Sequence, residues 1–399
     1  MNETNRPNKK RKVSPVKIVS IVAVLLLSTA LIQQVILGMI SAEARREQHM
    51  VATGMVVDYG FDMHPGFHSP DARHFFFTTR QGLQIKTPTG DLLQEHHFSL
   101  TQPVMVGRGN TVAIGEPDGY KIYVFNSGGL LYYVTFEHPT ILYNVNQSGH
   151  LSVILRTNAG YQLQVFNPNN PHSDSFRNPI NDANVFPTAM DVSECGTYIA
   201  LALLNVDTLM FSQVTFSYIR ASDSRARGLT DGLIRGYRYN NEFIYHIQFT
   251  NCNRVLVFTD QQIIGFATGS DAQGSLWTIP LYNQIDMLYI GTNNFAYVTG
   301  DPFLNSPELR DHGVLHIHNF YGQPTGTYDL GRRATHLSIG FNTVLVGTGR
   351  TFQAINSLGL PLWKYSATQE VANMIFMDNT DTVLMVGGAS ATVMQLVSG

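Results

Sequence analysis

Histidine and cysteine are the side chains of this sequence that could hold a metal ion or react as a nucleophile. The chain has 14 histidines and two cysteines. His316 and His318 lie two residues apart on a predicted strand, so their side chains would share one face. A zinc site needs three or four converging ligands, and no carboxylate or third histidine recurs at a matching spacing. The pattern therefore favours surface or turn histidines, and we expect neither a metal nor a cofactor.

Motifs that activate a nucleophile or cradle a phosphate are also missing. The sequence contains no G-x-S-x-G elbow and no P-loop. Two short glycine pairs, at 107–109 and 347–349, lie in strand-rich hairpins and do not precede a helix. We therefore expect a protein without enzymatic activity. A hydrolase with scattered carboxylates is the alternative, because a fold can bring distant residues to one face.

The 399 residues are rich in apolar side chains and poor in charge. Hydrophobic residues make up 44% and charged residues 14%, which favours a large folded core over disorder. The net charge of −3 is unevenly distributed: residues 1–17 hold six basic residues against one acidic residue, and the remainder holds 20 against 28. An acidic body lacks the basic stripe of a nucleic-acid-binding protein, so we expect no nucleic-acid partner. Two cysteines are too few for a disulfide scaffold.

An uncharged apolar segment covers residues 18–40, which is long enough to span a bilayer as a helix. The basic residues at 9–12 and Lys17 precede it, so the positive-inside rule keeps the N-terminus in the cytoplasm. The sequence thus predicts a basic cytoplasmic tail (1–17), a transmembrane signal-anchor helix (18–40), a linker (41–49) and an extracytoplasmic domain (50–399). We expect a single-pass protein of the cell membrane.

Two other interpretations of the N-terminus are open. Ala42 and Ala44 fit a small-x-small cleavage site after Ala44, although the apolar segment is longer than a secretory one. The basic run at 9–13 resembles a nuclear import signal. Beside a hydrophobic span, an orientation signal is the simpler explanation of this charge.

Beyond about residue 60, short apolar runs alternate with Gly-, Asn- and Asp-containing turns, which is typical of strands. The segments 109–115, 341–347 and 380–387 are near-copies of a tight turn followed by a strand. Five looser copies complete a series with a mean step of about 44 residues, the length of a four-stranded propeller blade. The turn positions of the eight copies are Arg73, Asn110, Gly149, Gly196, Asn253, Asn294, Asn342 and Asp381.

The two ends of the series predict a closed ring. The last unit, 371–399, has room for only three strands, and residues 50–59 form a strand candidate without a unit of its own. Pairing the two would complete the last blade and cover a sheet edge. We therefore predict an all-β fold, a β-propeller of eight four-stranded blades, with seven blades as the alternative. A β-sandwich would not explain eight copies at one spacing.

The loops that leave the second strand of each unit form the candidate binding surface. In a propeller these loops share the mouth of the ring with the connections between blades. Their mixed charge could bind a polar ligand or a partner, or it could simply solvate the surface. The candidate residues are Arg80, Glu116, Asp118, Arg156, Asp260, Asp301 and Arg350.

The unit between Gly196 and Asn253 is longer than the others and carries a polar, basic insertion at 222–228. Insertions in repeat folds map to loops and often bind partners. Asp223, Arg225 and Arg227 are therefore a second candidate site. A tolerated surface loop is the equal alternative.

Cys195 and Cys252 occupy equivalent turns of two consecutive units. A disulfide between neighbouring blades is conceivable outside the cytoplasm. It requires Cα atoms within about 7 Å of each other. The splay of the blades favours two free thiols, and the sequence leaves both states open.

The segment 352–363 resembles the repeat of quinoprotein-like propellers, in which a glycine turn precedes a tryptophan by four residues, here Gly359 and Trp363. The layout as a whole resembles the uncharacterised single-pass, membrane-anchored β-propeller proteins of Gram-positive bacteria, which carry WD40-like or quinoprotein-like repeats. That resemblance implies no particular activity. Quinone-dependent dehydrogenases carry a disulfide between adjacent cysteines and a bound calcium ion, and the two distant cysteines of this chain do not match them.

These observations together predict a non-catalytic binding or scaffold module at the cell envelope. Its partner would be a protein or a cell-envelope polymer, beside the membrane that holds the anchor. The alternatives are an enzyme acting on an envelope carbohydrate or peptide, and a sensor coupled to a membrane partner.

Overall fold

A computed structural model describes residues 48–58, 66–71, 73–207, 209–226, 232–268, 274–300, 312–377 and 382–398. The chain divides into a large unit, Met50–Val397, and a small one, Met1–His49 with Ser398–Gly399. The predicted tail and membrane span therefore lie outside the described residues. None of the helices in the described ranges is long and apolar enough to cross a membrane.

The large unit is built from eight four-stranded antiparallel sheets, which we number as blades in chain order. Blade 1 contains β2 (Gly66–Asp71), β3 (His74–Thr79), β4 (Gly82–Lys86) and β5 (Leu92–His97). Blade 2 contains β6 (Val104–Arg108), β7 (Thr111–Gly115), β8 (Lys121–Asn126) and β9 (Gly129–Thr135). Blade 3 contains β10 (Thr140–Val145), β11 (Leu151–Thr157), β12 (Gly160–Asn167) and β13 (Asn170–Ile180). Blade 4 contains β14 (Val185–Val192), β15 (Tyr198–Asn205), β16 (Phe211–Tyr218) and β17 (Leu233–Asn240), with the short helix α1 (Ala221–Ala226) before β17.

The second half of the ring repeats the same order. Blade 5 contains β18 (Ile244–Phe249), β19 (Arg254–Thr259), β20 (Gln262–Ala267) and β21 (Ser275–Pro280). Blade 6 contains β22 (Ile285–Ile290), β23 (Asn294–Thr299), β24 (Val314–Asn319) and β25 (Pro324–Asp329). Blade 7 contains β26 (His336–Ile339), β27 (Thr343–Thr348), β28 (Thr351–Asn356) and β29 (Pro361–Ser366). Blade 8 contains β30 (Val371–Phe376), β31 (Thr382–Gly387), β32 (Ser390–Ser398) and, from the start of the large unit, β1 (Gln48–Asp58).

The eight-bladed propeller predicted from the repeat is confirmed. β1 is the outermost strand of blade 8 and pairs with β32, so the first strand of the ring closes the last blade. The Thr53 hydroxyl donates a hydrogen bond to the carbonyl of Val393 across this junction (3.1 Å). Closure in this way leaves no unpaired edge on β32.

The burial of each strand follows its place in the blade. The second strands are largely buried, and β7 and β23 are buried at every position. These strands carry the Val-, Ile- and Phe-rich runs that repeat in the sequence. The outermost strands, such as β5 and β21, alternate between exposed and half-buried residues. The core lies between neighbouring blades: Phe216 of blade 4 packs in one cluster with Phe249 and Phe266 of blade 5.

Antiparallel pairing assigns each turn to one of two faces of the ring. The face that we call the top face carries the connections between blades and the turns between second and third strands, such as 116–120 and 260–261. The bottom face carries the turns between first and second strands, such as 193–197 and 250–253. The first strands of successive blades contact one another around the centre, as β6, β10 and β14 do.

Candidate functional site

The structure places the described residues of the predicted mouth on the top face. Arg80, Glu116, Asp118, Asp260 and Arg350 all lie in turns between second and third strands. The sixth, Arg156, is the penultimate residue of the second strand β11 and lies next to the same kind of turn. Asp301 lies outside the described residues.

One pair of these residues comes together across two blades. Arg156 Nη2 of blade 3 lies 3.3 Å from Asp118 Oδ1 of blade 2, and both side chains are more than half exposed. An ion pair so open to solvent contributes little to stability. The charges thus stay accessible on the top face.

Two of the predicted acidic residues instead hold the connections between blades. Glu116 Oε2 accepts hydrogen bonds from the backbone N–H groups of Thr101 (2.7 Å) and Gln102 (3.3 Å). Asp260 Oδ1 accepts one from the backbone N–H of Phe243 (2.8 Å). These carboxylates satisfy backbone donors that would otherwise lack a partner, which is a structural role.

Arg80 and Arg350 are exposed and, within the described ranges, form no ion pair. Their backbone carbonyls accept hydrogen bonds from Leu100 (3.0 Å) and Ala367 (2.9 Å), which belong to the connections that follow each blade. The backbone of each turn is therefore fixed while the guanidinium remains available to a partner.

The predicted insertion is only partly described. Asp223 is half-buried and Arg225 is exposed, and both lie on the six-residue helix α1. Arg227 lies outside the described residues. The structure does not bring Asp223 or Arg225 close to the charged residues of the top face that the repeat predicted, because α1 follows the third strand of blade 4 and lies toward the bottom face.

An apolar surface on the top face was not predicted from the sequence. Leu209 is 73% exposed and Tyr282 is 92% exposed, and four further large apolar side chains beside them are 39–48% exposed. We call this set the apolar arc. It consists of Phe186, Val206, Leu209, Met210, Phe243 and Tyr282.

Hydrogen bonds between neighbouring loops place the residues of the apolar arc on adjoining loops of blades 4, 5 and 6. Within blade 4, the backbone N–H of Val206 donates to the carbonyl of Asn184 (2.9 Å), two residues before Phe186. The links onward to blades 5 and 6 are Asn241 N–H to the Met210 carbonyl (3.2 Å), Gln261 Nε2 to the Asn241 carbonyl (2.7 Å) and Leu281 N–H to the Gln261 carbonyl (2.8 Å). Exposed apolar side chains gathered on adjoining loops are a candidate site of interaction. The signal available in the sequence was a turn, 206–210, that contains Val, Leu and Met where polar residues are usual.

A cavity of about 780 Å³ lies at the centre of the ring, toward the bottom face. It is lined by the first strands of seven blades and by their following turns. Arg108 lies in its wall, with Nη1 2.5 Å from Asp191 Oδ2 and Nε 2.9 Å from Glu194 Oε1. Asp191 also accepts hydrogen bonds from the backbone N–H of Phe249 (2.6 Å) and from Asn144 Nδ2 (3.0 Å).

We call Arg108, Asn144, Asp191 and Glu194 the Arg108 cluster. Burial by itself lowers the pKa of Arg108, but the charges of the two carboxylates outweigh it and raise the pKa above its usual value. The guanidinium is therefore charged at every physiological pH. The charge of Arg108 is matched by the buried Asp191 and the half-buried Glu194, so the cluster does not resemble an open anion site. The cluster joins blades 2, 3 and 4, and the bond from the Phe249 N–H to Asp191 extends this connection to blade 5.

Two histidines line the same cavity. Burial lowers the pKa of His68, whose Nε2 lies 2.8 Å from the carbonyl oxygen of Gly109. Burial also lowers the pKa of His246 on β18, and the nearby charge of Arg108 lowers it further. Both imidazoles are thus neutral at pH 7. The described part of the chain contains no group of three or more His, Cys, Asp or Glu side chains that could hold a metal ion.

The sequence matches one family model, described as a family of unknown function (DUF5711), over residues 73–396. No curated protein matches the chain.

Two solved propeller structures are similar in fold. BamB from Moraxella catarrhalis is 11% identical, with a TM-score of 0.51, over 87% of this chain and 100% of its own. The C-terminal WD40 domain of Sif2 is 10% identical, with a TM-score of 0.56, over 86% of this chain and 99% of its own. At these identities the likeness concerns the fold alone. Because the family model covers most of the sequence and nearly all of the propeller, the chain belongs to the family of unknown function DUF5711.

Proposed function

We propose that this protein is a non-catalytic binding module whose top face docks a protein partner at the cell envelope. The observation that carries the proposal is the apolar arc, six exposed apolar side chains on adjoining loops of blades 4, 5 and 6. Large apolar side chains gathered on one part of a soluble surface are typical of a site that a partner covers.

The composition of the top face fits a protein partner better than a polymer. Protein interfaces are enriched in aromatic residues, Met and Arg. The apolar arc supplies Met210 and Tyr282, while Arg80 and Arg156 lie exposed on the same face. Arg156 of blade 3 lies on the blade next to the apolar arc, and Arg80 lies farther round the ring in blade 1. Apolar anchors supply affinity, and charges elsewhere on the same face orient the partner.

The acidic residues of the top face support a non-catalytic role. General acid–base chemistry needs a carboxyl group that can reach the substrate and exchange a proton with it. Glu116 and Asp260 are already hydrogen-bonded to backbone N–H groups, and Asp118 is paired with Arg156. Glu116 and Asp260 therefore hold the backbone of the connections between blades, whereas Asp118 stays open to solvent beside Arg156.

The location is proposed from the sequence. The uncharged segment 18–40 and the basic residues 9–12 support a single membrane span with its N-terminus in the cytoplasm. The propeller would then stand outside the cytoplasm on a short linker, with the top face offered to envelope proteins or to the outer parts of membrane proteins.

The test is crosslinking in cells followed by affinity capture from the native membrane. The wild-type protein is compared with a Leu209→Asp/Met210→Asp variant and with a control, Leu358→Asp, on the bottom face. Leu358 is 60% exposed, so its substitution changes charge and apolar area without touching the apolar arc. We expect the recovery of one crosslinked protein to fall at least about tenfold in the double variant, since two central anchors contribute more than about 1.4 kcal/mol together.

Three results would overturn the proposal. Equal recovery with all three proteins would show that the apolar arc does not dock the partner. Loss with Leu358→Asp alone would place docking on the bottom face. Recovery of envelope carbohydrate with no protein would favour a polymer ligand. Matching thermal midpoints of the three proteins keep a folding defect from being mistaken for lost binding.

A further inference from the structure

The two cysteines lie side by side on the bottom face, in the turns between first and second strands of blades 4 and 5. The hydrogen bond from the Phe249 N–H to the Asp191 carboxylate joins the ends of β14 and β18 (2.6 Å). Cys195 follows Asp191 by four residues and Cys252 follows Phe249 by three. The Arg108 cluster thereby holds the two cysteine turns next to each other.

The two thiols are free and are hydrogen-bond partners of each other. Cys195 is exposed and Cys252 is half-buried. Ser193 Oγ lies 3.7 Å from Cys195 Sγ, and Thr197 donates to the same sulfur. Cys195 is therefore the more accessible sulfur for a reagent from solution. Hydrogen-bond donors lie next to it.

The surroundings make the two thiols chemically unequal. Burial by itself raises the pKa of Cys195, but hydrogen bonds from Cys252, Thr197 and Ser193 outweigh it and lower the pKa below its usual value. Burial, followed by the neighbouring Cys195, raises the pKa of Cys252. An accessible sulfur favoured as thiolate beside a protonated thiol is the arrangement of an attacking and a resolving cysteine.

We propose that Cys195 and Cys252 form a redox-active dithiol that closes to a disulfide between blades 4 and 5 by exchange with a small-molecule disulfide. The Cys195 thiolate attacks one sulfur of that disulfide, the old S–S bond breaks, and one thiolate leaves and takes up a proton. Cys252 then loses its proton and attacks Cys195 Sγ, which releases the second small thiol. The two cysteines are oxidised by two electrons, and the small-molecule disulfide is reduced to two thiols.

This inference goes beyond the proposed docking function and does not depend on it. The bridge would covalently join blades 4 and 5, which carry five of the six residues of the apolar arc on their opposite face. Oxidation or reduction of the two cysteines would thus change the covalent connection between the two blades that carry most of the proposed docking surface.

The first test treats the reduced, full-length protein with oxidised glutathione and maps both cysteines by mass spectrometry after digestion. In the wild type we expect a single disulfide linking Cys195 to Cys252. In Cys252→Ser and Cys252→Ala, which lack the resolving thiol, we expect glutathione to remain attached to Cys195. A wild-type protein that keeps two thiols, or that accumulates glutathione on both cysteines, would overturn the proposal.

The second test separates reactivity from mere proximity by measuring alkylation rates of the folded variants between pH 5 and 10. Serine at position 252 keeps an O–H donor toward Cys195, whereas alanine removes it. We expect the midpoint for Cys195 to be lower in Cys252→Ser than in Cys252→Ala, and alkylation at pH 7 to be several-fold faster. In Cys195→Ser, Cys252 should react at least about tenfold more slowly than Cys195 does in Cys252→Ser. Equal midpoints in the two position-252 variants, or a faster Cys252, would contradict the assignment.

Discussion

Arg108 of blade 2 and Asp191 of blade 4 form an ion pair in the wall of the central cavity, with 2.5 Å between Nη1 and Oδ2. The two residues are 83 positions apart in the sequence. The Asp191 side chain is only 1% exposed, and its further partners, Asn144 and the Phe249 N–H, come from blades 3 and 5. One carboxylate therefore connects four consecutive blades from the inside of the ring.

The first prediction concerns the removal of the positive charge from this pair. Arg108→Met leaves the buried Asp191 and the half-buried Glu194 without their counter-charge. Breaking a buried pair on one side typically costs about 3–5 kcal/mol. We expect a fall of that size in the free energy of unfolding, measured by urea denaturation followed by tryptophan fluorescence and circular dichroism.

The matched control is Arg156→Met, because Arg156 also pairs with an aspartate of another blade but does so in solvent. Exposed pairs contribute about 0–1 kcal/mol. Similar losses of unfolding free energy in the two variants would show that the Arg108 cluster stabilises the fold no more than an exposed ion pair does. A further Asp191→Leu substitution in the Arg108→Met background should recover part of the stability.

The second prediction concerns stability at mildly acidic pH. Burial lowers the folded-state pKa of five histidines, and the unfolded chain therefore binds more protons than the folded chain below about pH 6.5. Their contribution to stability is complete above that pH and is lost as the pH falls toward the folded pKa values. The five residues are His68, His150, His246, His316 and His318.

Burial raises the pKa of Asp191 and Glu194, and these two carboxyl groups act in the opposite direction as the pH falls. Because five histidines oppose two carboxyl groups, we expect the thermal midpoint to fall between pH 7.5 and pH 5, as measured by differential scanning calorimetry. His246→Gln keeps a hydrogen-bonding side chain but removes one titrating group, so its profile should be shallower than that of the wild type. A midpoint that stays level or rises over this range would refute the prediction.

The fold could be predicted from the sequence because each repeat can be identified within one short segment of the chain. Each unit repeats a turn and a largely buried second strand, so the segments 109–115 and 341–347 occupy the same position in two blades. Counting from those turns also predicted where the top-face loops lie, which is why Arg80, Asp118 and Arg350 appear together on one face. Because neighbouring strands of a blade pair antiparallel, the position of one turn fixes which face of the ring the next turn lies on.

The partners of individual side chains could not be predicted in the same way. In the sequence Arg108 lies between two glycines of a hairpin, and nothing in the spacing of Asn144, Asp191 and Glu194 indicates that they contact it. Their meeting depends on the curvature of the ring, which brings four first strands to one wall. Glu116 illustrates the reverse case, since a loop carboxylate that suggested a ligand site bonds the neighbouring connection between blades.

The third prediction concerns the closure of the ring by β1. Val57 of this strand is buried in one cluster with Phe75 and Phe77 of blade 1 and Leu384 of blade 8, so β1 contributes both an edge and core packing. A chain that begins at residue 59 exposes the edge of β32 and leaves that cluster open. We expect its thermal midpoint to fall by about 10 °C or more, with aggregation through the uncovered edge.

A chain that begins at residue 48 is the matched control, because it lacks the predicted tail and membrane span but keeps β1 whole. It should unfold at the midpoint of the full-length protein measured in detergent. If the two shortened chains behaved alike, closure would not depend on β1, and blade 8 would be stable with three strands. If only the chain from residue 59 loses stability, pairing of β1 with β32 is what closes the ring, as the packing of Val57 in the cluster of blades 1 and 8 indicates.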